Sequence, residues 1–531
     1  MKPGKLAHSL NLNNVRLTVG KRSCLNARCH FCSINAEARR DYPESAIGKT
    51  LRPQHASKTL FYGVACTLVV AAAVLVRVTA AFNDLWMDEI WSLELVRELH
   101  SALGVFTQTH HDNNHYLNSL FIYFLGQHGN WPGYRILAEV AGFGTIVLAW
   151  LIGARQDKGT AFFSMLLASF SYVLILYSSE ARGYAPLIFF CFLCFLILHS
   201  FFENPRWQLA GLFSLSAILG FTSHLTFLIF LAASLIWFWV RLLRKKFSIP
   251  SIAGWTAACY AAPLTYLITL YLVDVRHLQI GGGTPITVLD GYGATLAWAF
   301  GGPNASRWQW LTGAISVLGL VAGLVLLIRD RSDEWIFFLG AVVVMPLAMP
   351  LFEHGTLHYI RYFIVALGFL LLFLGRVLGW LFNFGRSGKI VTGLVCSLFV
   401  VLNGSAVVSL LKYGRSHIAE AVNFMAQNTN EQSVVSFGGE QDFRIQFVLA
   451  IYWREMMDDK PAAYYDHDHW PAEGPEWVIF HKESFTLPLP PGKRFTDKFG
   501  NWFELVRTFP TAPLSGVHWF IYRKIGSANN S

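Results

Sequence analysis

The sequence predicts an α-helical polytopic membrane protein with about eleven transmembrane helices and a small C-terminal soluble α/β domain. Three observations carry this. The 531 residues are 54% hydrophobic and only 14% charged, with a mean hydropathy of +0.41, whereas soluble domains carry roughly 25% charged residues. Apolar runs recur from residue 60 to residue 411, most of them near the ~20 residues that a bilayer crossing needs. Beyond residue 411 the apolar runs shorten to strand and helix length, with polar turns between them. The 18 tryptophans and 19 tyrosines suit a chain with many membrane–water boundaries.

Residues 1–58 hold eleven bases against three acids, a net +8 of the chain's +9. An excess confined to one tail is a topology signal, the cytoplasmic side of a first span, and such a tail can also meet anionic lipid headgroups. No nucleic-acid partner is expected. The apolar run after the tail is too long for a signal peptide, and no convincing cleavage site accompanies it. Within the tail, Cys24, Cys29, His30 and Cys32 offer three thiolates and an imidazole for zinc, but no second CxxC pair follows. Cys191 and Cys194 fall mid-span as packing residues.

Spans are predicted near 60–82, 133–153, 160–178, 184–203, 207–222, 225–243, 251–273, 309–328, 334–352, 362–383 and 390–411. The run from Tyr116 to Gln127 is too short to cross and is expected to lie in the interface or re-enter from it. With the tail inside, the even-numbered connections are inside too. They hold Arg155 and Lys158, then Arg206, then Arg241, Arg244, Lys245 and Lys246, then Arg329 and Arg331, then Arg386 and Lys389. Each is basic, as the positive-inside rule asks. Counting 116–127 as a span would reverse them all, so the parity puts the C-terminus outside. Arg376, toward the inner end of the tenth span, is the main charged exception.

The chain therefore reads as a basic tail (1–58), a transmembrane domain (59–411) and an outer α/β domain (412–531). In the last, Ile418 to Gln427 and Phe443 to Arg454 have helical spacing. Val434 to Gly438, Trp477 to Phe480, Phe503 to Val506 and Trp519 to Tyr522 read as strands. This domain has near-balanced charge and no catalytic constellation, which suits an acceptor platform or a structural cap. None of the eight cysteines lies beyond Cys396, so it has no disulfide.

The polar groups that could carry chemistry fall on the outer connections. Asp88 and Glu89 stand together in Leu85-Trp86-Met87-Asp88-Glu89-Ile90-Trp91-Ser92, just past the first span. There a water-facing base could meet a lipid-borne substrate. Asn83 or Asp84 could cap a short helix starting near Leu85. On it Asp88 shares a face with Ser92, while Glu89 points about 100° away. One carboxylate could then face a reaction centre while the other orients a basic partner; the bland alternative is a helix start that favours acids. In Ser178-Ser179-Glu180-Ala181-Arg182-Gly183-Tyr184, Arg182 could bind phosphate, or pair with Glu180 beside an interfacial tyrosine. Arg361, with His354 and His358, could hold a phosphate headgroup, or snorkel. His110, His111, Asp112 and His115 have the side chains for a divalent ion, though a polar substrate rim also accounts for them. His224 lies on the same face.

The order Trp86-Met87-Asp88-Glu89, His115-Tyr116-Leu117, Ser179-Glu180-Ala181-Arg182-Gly183-Tyr184 and Arg361-Tyr362 resembles the C-type glycosyltransferases over residues 60–411. Within them it is similar to the bacterial branch akin to protein O-mannosyltransferases and lipid A aminoarabinose transferases. The resemblance implies a polyprenyl-phosphate sugar donor and a glycan, lipid or protein acceptor at the outer face of the membrane. A bacterial inner membrane fits the lack of disulfides in the outer domain, with the endoplasmic reticulum as the alternative. The resemblance also implies that Asp88 is the base, with Glu89 beside it, and that Arg182 and Arg361 serve the donor phosphate or the loop acids. Glu180, Tyr184, His115, His224, His354 and His358 are the further substrate-binding candidates. No cofactor is implied, though a divalent metal is compatible. This chain departs from many relatives in having His115-Tyr116-Leu117-Asn118 where they have His-Pro-Pro-Leu. The rival readings are a lipid or solute transporter and a non-catalytic scaffold. Transporters favour inverted repeats and midplane ionisable groups, and neither is evident here.

Overall fold

The computed structural model describes residues 52–126, 131–281, 285–302, 308–349, 358–415, 417–429, 435–439, 443–457, 460–482 and 492–527. The cysteine cluster at 24–32 and His354 lie outside these. The chain divides into two units, Met1–Tyr62 and Gly63–Ser531, and the second holds the spans and the C-terminal domain.

In chain order the helices are α1 (Arg52–Ala81), α2 (Met87–Arg97), α3 (Gly104–Thr107), α4 (Tyr116–Leu125), α5 (Trp131–Ala154), α6 (Lys158–Phe170), α7 (Tyr172–Ser178), α8 (Tyr184–Glu203), α9 (Trp207–Ser223), α10 (Phe227–Arg244), α11 (Ile249–Thr256), α12 (Ala262–Val273), α13 (Val288–Trp298), α14 (Trp308–Arg329), α15 (Glu334–Leu339), α16 (Met345–Leu347), α17 (Ile364–Asn383) and α18 (Gly385–Tyr413). Every predicted span coincides with helix over most of its described residues, with 350–352 of the ninth lying outside them. Among the described residues, eight helical segments are long and apolar enough to cross a membrane. The pair α6 and α7, bent by 60°, would make a ninth. The remaining two predicted spans, α9 and the segment Glu334–Leu347, are shorter apolar helices, and so is α4. The protein is thus a polytopic membrane protein by length and composition of its helices.

The bend between α6 and α7 has a physical cause that the sequence does not advertise. Ser171 is extended, with φ −61° and ψ 119°. A break at membrane depth frees backbone groups that lipid cannot satisfy. Arg77 of α1 takes the freed carbonyls, donating to Ala168 at 3.0 Å and Ser169 at 2.9 Å. Asn403 of α18 accepts from the Tyr172 amide at 2.8 Å. Arg77 is buried, as is Glu139 of α5, whose two carboxylate oxygens have no hydrogen-bond partner. Arg376 is therefore joined by Arg77, Arg135 and Glu139 as charges within the spans, and it pairs with Glu334 at 2.5 Å.

The C-terminal domain is built on six strands: β1 (Val435–Gly439), β2 (Ala462–Tyr465), β3 (Trp477–Lys482), β4 (Arg494–Thr496), β5 (Asn501–Phe509) and β6 (His518–Ser527). The sheet order is β2-β1-β3-β6-β5-β4. β1 runs parallel to β2 and β3, and the other pairs are antiparallel. Side chains alternate across β3. Trp477 and Ile479 face α19 (Ile418–Gln427) and α20 (Phe443–Met456), while Val478 packs with Trp470, Phe503 and Tyr522 on the other face. Both helices and four strands match the sequence reading; β2 and β4 are additional.

This domain is not a detached cap. Its helical-face core includes Leu85 and Ile90, at the start of α2. The Tyr452 hydroxyl donates to the Leu85 carbonyl at 2.8 Å. Asp84 accepts from the Ala419 amide at 2.9 Å, so it caps α19 instead of the helix next to it. The predicted capping of α2 by Asn83 or Asp84 is thereby corrected. Its N-cap is Trp86, whose amide is held by Glu89 at 3.1 Å.

Candidate active site

Helix α2 turns its two acids in different directions. Asp88 and Glu89 are both buried, which corrects the expectation of a water-facing base, and burying a carboxylate is costly unless it is paired. Each has found guanidinium partners, from different parts of the chain.

Asp88 Oδ2 accepts from Arg182 Nη1, and from Arg361 Nη1 at 2.8 Å. Arg182 follows the α7 end, and Arg361 precedes α17, so three separate connections meet on one oxygen. Arg182 is fixed further by Asn113 Oδ1 at 2.8 Å and by His115 Nε2, which is 3.2 Å from its Nε and 2.9 Å from its Nη2. Its guanidinium lies 5.1 Å from the Tyr184 ring centroid. Arg361 lies over Tyr359 and Tyr362. The rings of His115, His224 and Tyr184 pack mutually at 4.9–5.1 Å. Ser92 Oγ ties α2 to the 113 loop through the Asp88 and Asn113 carbonyls.

The electrostatics at this centre are one-sided. One carboxylate faces two guanidiniums. Burial and then Arg182 hold the His115 pKa well below its ordinary 6.5. The same causes, with Arg361, push His224 down to about 3. Both imidazoles are thus neutral at physiological pH, so Asp88 is the carboxylate in contact with the two guanidiniums, while Asp112 and Glu180 also act on Arg182 through space. Because these folded pKa values lie below the unfolded ones, the stability they carry is full above about pH 6.5. It is lost as pH falls toward 3. Thermal midpoints in detergent are expected to fall over that window, and with a shallower slope in His224→Gln than in wild type.

Glu89 lies behind α2. Arg135 of α5 grips it in a fork, Nε to Oε1 at 2.8 Å and Nη2 to Oε2 at 2.7 Å. Oε1 also accepts from the Ala181 amide at 2.8 Å. The remaining donors of Arg135 reach the carbonyls of Ala81, Asn83 and Asp84 at 2.7, 2.5 and 2.8 Å. Burial alone would raise the Glu89 pKa, but Arg135 outweighs it and the net shift is down. Glu180 is likewise turned away from Asp88. It pairs with Arg415 at 2.6 Å, which removes the alternative in which Glu180 pairs with Arg182.

Arg182, His115, Tyr184, His224 and Arg361 thus gather around Asp88, whereas Glu89 and Glu180 stand behind. The His358 ring Nδ1 is 3.1 Å from the Ile286 carbonyl oxygen. His110 is bound to Asp274, and His111 to Asp112 at 2.9 Å. Among the described residues no three His, Cys, Asp or Glu side chains converge as metal ligands. Nothing local in the sequence marks Arg135 or Arg415, whereas Asn113 lies inside the His110–His115 motif. Gly183 is fixed by crowding. A Cβ there would lie 2.0 Å from the Ser223 carbonyl oxygen and 2.8 Å from His115 Nδ1.

No protein-family model and no curated protein matches this chain. Among solved structures, the crystal structure of ArnT from Cupriavidus metallidurans in the apo state is similar. It is 11% identical with a TM-score of 0.49, over 80% of this chain and 93% of that one.

Proposed function

We propose that this protein is an inverting glycosyltransferase that moves a sugar from a polyprenyl-phosphate donor to a hydroxyl acceptor at the outer face of a bacterial inner membrane. The observation that carries the reading is the buried Asp88 held by two arginines from separate connections. A sugar phosphodiester carries a single negative charge, as the Asp88 carboxylate does. The Arg182 and Arg361 guanidiniums match phosphate oxygens, and turning to them would release Asp88.

In the reaction the acceptor hydroxyl oxygen attacks C1 of the sugar. Asp88 takes the hydroxyl proton as the bond forms. The C1–O bond to phosphate breaks, and its electron pair leaves with the phosphate. Arg182 and Arg361 stabilise the charge that grows there. A phosphate leaves well without a general acid, so one working carboxylate suffices, whereas a glycosidase needs two. Glu89 fits this division, since Arg135, Trp86 and Ala181 occupy its oxygens. Attack in one step inverts C1. His115, Tyr184 and His224 form the wall beside the arginines and would orient the donor.

The test uses purified protein, a panel of polyprenyl-phosphate-linked hexoses and pentoses, and an envelope extract as acceptor. Release of polyprenyl phosphate is expected for a donor in the panel. Arg182→Gln and Arg361→Gln should each lower kcat/KM for it by roughly a hundredfold or more. Release that is untouched by either change would contradict the reading.

A further inference from the structure

Arg415 belongs to the linker between α18 and the C-terminal domain, yet it is wholly buried beside the loop that carries Arg182. Its Nη1 reaches Glu180 at 2.6 Å. Its Nη2 reaches the Leu176 carbonyl at 3.1 Å, the Ser179 carbonyl at 3.3 Å and the Ser179 hydroxyl at 3.1 Å. One guanidinium therefore spans the last turn of α7 and the first residues of the 179–183 loop. The loop is held from its other side by Glu89, through the Ala181 amide at 2.8 Å. Arg182 is the next residue.

The anchor of Arg415 is the C-terminal domain itself. The preceding residue, Gly414, presents its carbonyl to the Ala512 amide at 3.2 Å and to the hydroxyls of Thr511 and Ser515. Tyr172, at the start of α7, donates to the Pro513 carbonyl. The 511–515 segment of the domain thus grips both the residue before Arg415 and the helix that Arg415 caps. A buried charge on a linker is expensive unless partnered, and a linker that served only to connect would need none.

We propose that Arg415 is a positioning residue through which the C-terminal domain sets the place of Arg182, so that the domain is a working part of the donor-phosphate site. This rests on the glycosyltransferase reading for the identity of the ligand. A displacement of about 1 Å at such a site is worth roughly a hundredfold in rate.

Two variants keep the test readable if simple truncation fails to fold. Arg415→Lys keeps a cation beside Glu180 but loses the planar fork. The double variant Arg415→Gln with Glu180→Gln removes both charges and leaves amides that can pair. Each is purified in detergent, and its thermal midpoint is followed with a polyprenyl phosphate, and with polyprenol as the neutral control. Wild type is expected to be stabilised by the phosphate and not by the alcohol. Both variants should fold with that stabilisation weakened roughly tenfold in phosphate concentration, alongside a fall in kcat of about a hundredfold. Variants that fold and respond to the phosphate as wild type does would overturn the role of Arg415 alone. A wild type that ignores the phosphate would overturn the donor reading and this inference together.

Discussion

Asp88→Asn is expected to lower kcat for sugar transfer about a thousandfold, within the range general-base removal costs, while the protein stays folded. The asparagine fills the same space and can still accept from Arg182 and Arg361, the two partners of the Asp88 oxygen. What it loses is the capacity to take a proton from the acceptor. The direction of KM is the sharper part. Asp88 and the donor phosphate compete for the same two guanidiniums in this account. Removing the carboxylate charge removes the competitor, so donor KM should stay level or fall. Steady-state kinetics of polyprenyl phosphate release would show it. A rise in KM at unchanged kcat would mean that Asp88 binds substrate and does not act as base.

Arg135→Met is expected to cost about 3–5 kcal/mol of stability, as breaking a buried ion pair from one side does. Arg135 and Glu89 are both fully buried. The substitution would strand the Glu89 carboxylate and free the carbonyls of Ala81, Asn83 and Asp84 from their donor. Those carbonyls form the corner between α1 and α2, so loss of the bond loosens the helix that carries Asp88. Adding Glu89→Gln should recover part of the loss, because a neutral amide is cheaper to bury than an unpaired charge. The recovery shows in the thermal midpoint of the detergent-solubilised protein, or in the yield of monodisperse protein. A midpoint for Arg135→Met equal to wild type would contradict the assignment of Glu89 as a structural anchor.

The helices were legible because bilayer length and hydropathy leave few alternatives. The divergence of Asp88 and Glu89 was legible from the 100° step of a helix. What each carboxylate would meet was not. Arg135 opens a span predicted on its apolar residues, and nothing local distinguishes it from a boundary arginine. Arg415 follows Tyr413 and Gly414 in what reads as a plain linker. Its partner, Glu180, is 235 positions away, a separation that no periodicity reports. Glu180 and Arg182, two apart, look like natural partners, but each is pulled to a different neighbour by the turn between them. The bend at Ser171 carries no proline or glycine, the usual causes of a kink. It is stabilised by Arg77 and Asn403 from distant spans. Strands β2 and β4, of four and three residues at the sheet edges, are too short to show alternation.

Sugar transfer with Asp88 as its base has a direct readout in cells. The most direct measurement is mass spectrometry of surface glycans, lipid A and envelope glycoproteins in cells lacking the protein, rescued with wild type or with Asp88→Asn at matched membrane levels. One sugar modification is expected to disappear and to return only with wild type, which also names the acceptor class. Full rescue by Asp88→Asn, or no change in any glycan, would contradict it.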